Sequence, residues 1–64
     1  MTSLEKLTLI AEADKRYNLL WFTWIETDIL NEVERAEIVA LYEKAECFEA
    51  AERLKNRVFD AVKL

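Results

Sequence analysis

Leu7, Ile10, Ala13, Tyr17, Leu20 and Trp24 recur at intervals of three and four, the spacing that places side chains on one buried face of an α-helix. Thr2 followed by Glu5 has the form of a capping box, so this first helix is expected to begin there. Its second half departs from a simple stripe. In Leu19-Leu20-Trp21-Phe22-Thr23-Trp24-Ile25 six of seven residues are large and apolar, and on a helix they point in nearly every direction. The pattern predicts a helix running to about Ile29 or Leu30, followed by a break. Asn31 is the favoured breakpoint, as a left-handed C-cap or an N-cap, with Thr27 and Asp28 as alternatives.

A second helix is expected from there to about Ala45. Val33, Ala36, Ala40, Leu41 and Ala45 are assigned to its inner side, Ile38 and Tyr42 to its flank, and the alanines to a close approach by a neighbouring helix. The third has the most regular pattern: Cys47, Ala51, Leu54, Val58 and Ala61 follow one another at four and three residues, with Phe48, Phe59 and Val62 widening the seam. Acids precede bases along it, which complements a helix dipole. On the first helix, Glu12 and Arg16 have the spacing of an exposed ion pair.

Composition sharpens this picture. Gly and Pro are both absent, whereas average usage would give about four or five glycines and about three prolines in this length. Without that punctuation hairpins and sandwiches are disfavoured, and the expectation is an all-α single domain over residues 1–64. It comprises about three helices, the long N-terminal one packed against a C-terminal helical hairpin. A domain of 64 residues leaves little net stability from its core alone. Cys47 is the only cysteine and histidine is absent, so neither an internal disulfide nor an ordinary zinc site can supplement that core within one chain. Association with itself or with something larger is the remaining route.

The formal charge of −4 is unevenly spread. Up to Ile25 acids and bases balance. From Glu26 to Glu52 nine acids face only Arg35 and Lys44, and from Arg53 onward Arg53, Lys55, Arg57 and Lys63 outnumber Asp60. A signal peptide is not visible, and the seven-residue apolar run is far below the roughly 18 needed to cross a membrane. A soluble, cytoplasmic protein is expected.

The wording of residues 38–58 adds a resemblance. Phe48-Glu49-Ala50-Ala51-Glu52-Arg53-Leu54-Lys55-Asn56-Arg57-Val58 resembles the second half of the UVR motif, a helical hairpin of bacterial nucleotide-excision repair proteins and some stress-response regulators. Phe48, Glu49, Ala51, Leu54, Lys55 and Val58 match; Glu52 stands where an alanine is expected and Asn56 where an Asp is. The same residues are similar to one tetratricopeptide unit, through Tyr42, Phe48 and Ala51, with Lys55 as a departure. Both resemblances imply two helices turning back near Glu46-Cys47 with Ala51 at the close contact. The UVR likeness further implies a hairpin that docks on a similar hairpin or on another protein, in nucleic-acid metabolism.

Candidate chemistry is sparse. Glu34 with Glu37, and Glu43 with Glu46, share helix faces, but bundle di-metal sites pair such glutamates with histidine, and a solvated face is the simpler reading. Ser3 has no histidine to activate it, no Gly-rich loop cradles phosphate, and Cys47 heads an apolar seam as a small core residue. The Arg53, Lys55, Arg57 cluster sits in an acidic surround that disfavours direct nucleic-acid binding. No enzyme, cofactor, metal or small-molecule substrate is expected. Trp21, Phe22, Trp24 and Ile25 are the expected partner-binding residues, because Trp is enriched among residues that carry interface energy and these rings cannot all face one core. The resulting expectation is a non-enzymatic interaction module that docks on and modulates a larger intracellular protein. The alternatives are a self-assembling, dimeric helical bundle, or an acidic mimic of nucleic acid working through its carboxylates.

Overall fold

The computed structural model describes residues 2–59. Its order is α1 (Ser3–Thr27), α2 (Glu32–Lys44) and α3 (Phe48–Asn56), with no strand among the described residues. The all-α class and the long first helix against two shorter ones are as the sequence predicts.

Each boundary has a local cause. Thr2 caps α1, its hydroxyl accepting from the Glu5 N–H at 3.2 Å while Glu5 Oε1 accepts from the Thr2 N–H at 3.3 Å. α1 stops at Thr27, a little short of Ile29. Asp28 turns left-handed (φ 63) as its N–H reaches Trp24 O at 2.8 Å, and the Thr27 hydroxyl accepts from the Ile29 N–H. Asn31 then opens α2, Oδ1 accepting from the Glu34 N–H at 3.0 Å. The two candidate breakpoints therefore both operate, one closing a helix and the other opening the next.

Between α2 and α3 the chain reverses through Ala45-Glu46-Cys47. The Glu46 N–H donates to Glu43 O at 2.9 Å and the Cys47 N–H to Tyr42 O at 2.8 Å, the paired bonds of a Schellman ending. Its left-handed position, normally glycine, is held by Glu46 at φ 61 in a chain that has no glycine.

α2 lies between the other two helices and packs against both, whereas α1 and α3 do not meet along their backbones. Ala13 and Leu20 from α1, Ile38, Val39 and Tyr42 from α2, and Ala51 and Leu54 from α3 form the core, with Ile38 and Leu54 wholly buried. The inner face of α2 is thus rotated from the expected one. Val33 is 71% exposed, Ala36 and Ala40 face solvent, and Ile38 and Tyr42 occupy the centre. A helix sandwiched between two neighbours must bury residues on two sides. The stripe 38, 39, 42, 45 does this with larger side chains than the alanine row could supply. Leu7 and Val58 also lie outside the core, at 63% and 68% exposure. Val58 follows the end of α3, so helical spacing no longer governs it. The expected seam positions Ala61 and Val62, like Lys63, fall outside the described residues.

Polar contacts fix how the helices sit. Arg16 on α1 grips Glu34 on α2 with two bonds, Nε to Oε2 at 2.8 Å and Nη2 to Oε1 at 2.6 Å, with Glu37 at 3.5 Å. This cross-helix fork replaces the expected pairing of Arg16 with Glu12, since a bidentate partner on α2 outcompetes a single exposed contact along α1. Lys6 reaches Glu46 in the α2–α3 turn at 3.2 Å.

Candidate protein interface

The aromatic stretch of α1 divides between two destinations. Trp24 is 5% exposed and Trp21 half-buried, and both rings meet Phe59, with centroids 5.4 and 6.0 Å away. Trp21 and Trp24 themselves lie 5.3 Å apart. The segment after α3 brings Phe59 there, and Arg57 comes with it. The Arg57 guanidinium lies 4.3 Å from the centre of the Trp21 ring, and its Nη1 donates to the Tyr17 hydroxyl at 2.6 Å. The gap that α1 and α3 leave between their backbones is thus closed on one side by the chain's own aromatic and cationic side chains.

Of the four residues expected to bind a partner, Trp24 is therefore a packing residue. Trp21 presents only part of its ring, and Phe22 and Ile25 remain outside at 59% and 40% exposure. The three rings within these four positions do not share one core, and the ring left outside is Phe22.

Phe22 and Ile25 belong to a longer feature. Leu4, Leu7, Ala11, Lys15, Asn18, Phe22 and Ile25 succeed one another at steps of three and four along α1, and every one of them is exposed. Leu4 and Leu7 are 74% and 63% exposed. α1 accordingly has two apolar stripes: an inner one through Ala13, Leu20 and Trp24, and an outer one that is apolar at both ends and polar in the middle. Periodicity alone missed Leu4 and placed Leu7 inside. The outer stripe was legible only as steps of three and four beginning at Leu4, a pattern that the stronger inner stripe overlays. Leu19, Ile29 and Val33 add exposed apolar surface beyond it, at 58%, 69% and 71%.

A second concavity is polar. An open groove of about 750 Å³ between α1 and α3 is lined by Asp14, Tyr17, Tyr42, Arg53 and Arg57 among others. Most of its polar groups are engaged: the Tyr42 hydroxyl donates to Asp14, Arg53 to Glu49, and Arg57 to Tyr17. Burial, and then the Asp14 carboxylate, push the Tyr42 hydroxyl far above its ordinary value, so it stays a neutral donor. Among the described residues no group of carboxylates or cysteine gathers as a metal site, and no buried side-chain polar atom lacks a partner. Nor is any helix long and apolar enough to cross a membrane. Cys47, half-buried, heads α3 without capping it.

Compared with protein-family models, with curated proteins and with solved structures, the chain shows no significant match.

Proposed function

We propose that this protein is a non-enzymatic helical interaction module that works through the outer face of α1, docking on another protein and modulating it inside the cell. The observation that carries the reading is the exposure of Leu4, Leu7 and Phe22 on a face separate from the core. Soluble domains seldom leave a row of large apolar side chains in water unless something covers them. A setting in nucleic-acid metabolism rests on the UVR resemblance of residues 38–58 alone.

Affinity capture from lysate tests it, with the wild-type chain beside a Leu7→Asp, Phe22→Asp chain, each checked for helix content by circular dichroism. The expected result is a protein retained by the wild type and lost with the two aspartates while the fold persists. Retention of the same proteins by both chains overturns the outer face as the working surface.

A further inference from the structure

The outer stripe has an internal symmetry. Leu4 and Ile25 are equally far from the midpoint between Asp14 and Lys15, and so are Leu7 and Phe22. From this we infer that the outer face of α1 binds a second copy of the same chain, antiparallel, about a two-fold axis at that midpoint. The inference deepens the reading of this face as an interaction surface and depends on it.

A two-fold interface requires a patch that is complementary to itself. Reversing α1 on its own outer face sets Leu7 against Phe22 of the second copy and Leu4 against its Ile25, at both ends. Polar Asn18 then meets small Ala11 in the next layer, and no large apolar side chain faces the polar centre. At that centre Lys15, which makes no ion pair among the described contacts, lies beside Asp14 and Glu12 of the second copy, so each copy supplies the other's counter-charge. A foreign helix would need the same order of apolar end, polar centre and apolar end; α1 already has it.

Charge and size agree. Residues up to Ile25 carry balanced charge, whereas the acidic excess begins at Glu26, runs through α2 and ends at Glu52, before the bases of α3. Contact through α1 keeps the acidic α2 of one copy away from that of the other. The 25 residues of α1 extend for about 37 Å at ~1.5 Å per residue. A standard interface takes roughly 800 Å² from each partner, and the outer stripe offers contact along that whole length. The antiparallel arrangement also opposes the two helix dipoles.

Sedimentation equilibrium from micromolar to near-millimolar concentration, with disulfide trapping on a Cys47→Ser background, tests the inference. The expected result is a concentration-dependent dimer that Phe22→Asp weakens by about tenfold or more. Mixing a Leu7→Cys chain with a Phe22→Cys chain should give the crossed disulfide, and Leu7→Cys alone should not, because the two Leu7 positions lie about 22 Å apart along an antiparallel seam. A monomer throughout the range overturns the second copy as occupant, and the interaction module is then judged by the capture experiment alone. A dimer that Phe22→Asp leaves intact, or that traps readily through Leu7→Cys alone, overturns the antiparallel outer-face geometry.

Discussion

Arg35 of α2 holds the last turn of α3 through its backbone, and Leu54 is the first carbonyl it reaches: Nε donates to Leu54 O at 3.1 Å. Its Nη2 donates to Lys55 O at 2.6 Å and to Arg57 O at 2.7 Å. The last carbonyls of a helix have no partners within it, and here a neighbouring helix provides them through one planar, multiply donating side chain. The same guanidinium lies 5.3 Å from the centre of the Phe59 ring, so one residue ends α3 and steadies the segment that covers the tryptophans.

Arg35→Ala should therefore cost about 2–3 kcal/mol, the range for hydrogen bonds to a charged group left unmade. Urea unfolding followed at 222 nm measures it. Arg35→Lys should recover only part of the loss, since an ammonium cannot span three carbonyls in a plane; full recovery would mean that charge alone matters.

Glu46→Gly should stabilise the fold. Glu46 pays the steric cost of a left-handed backbone, which is about 1–2 kcal/mol for a residue with a Cβ, against the extra unfolded-state freedom of glycine and one exposed ion pair to Lys6. A net gain of about 0.5–1 kcal/mol is expected, visible as a rise of several degrees in Tm. A fall in Tm would show the Lys6 bridge to be worth more than the backbone relief.

Trp24 and Phe22 lie two residues apart and should behave oppositely. Trp24→Ala removes a buried ring at a cost of about 3–5 kcal/mol, as much as a domain of this size possesses, so loss of the helical signal is expected; Trp24→Phe should give a folded but weaker protein. Phe22→Ala should change the unfolding free energy of dilute protein by less than about 0.5 kcal/mol. Equal effects at the two positions would contradict the division of the aromatic stretch.

Acid should loosen the α1–α2 junction. The Arg16 guanidinium, through its hydrogen bonds first, holds Glu34 below the ordinary 4.5. Stability from this pair is thus fully present above that value and is lost as pH falls through the depressed one. Tm should decline below about pH 4.5, and Glu34→Gln should flatten part of that decline. An unchanged acid limb in Glu34→Gln would place the acid sensitivity elsewhere.

Much of the fold could be read from residue order alone. The capping box at Thr2 and Glu5, the N-cap at Asn31, the dense helix formers and the absence of Gly and Pro are local facts, and local chemistry determines where helices begin and of what kind they are. Periodicity also identified Ala13, Leu20 and Trp24 on α1 and Ala51 and Leu54 on α3 as inward-facing. Tertiary structure decided what depends on neighbours distant in sequence. Which side of α2 is buried follows from its place between two helices. Whether Arg16 chooses Glu12 or Glu34 follows from which carboxylate can take both of its donors, and whether a tryptophan is covered follows from where Phe59 returns. Helical spacing records which side chains share a face, but only packing determines which face meets water, and for α1 that left Leu7 and Phe22 outside.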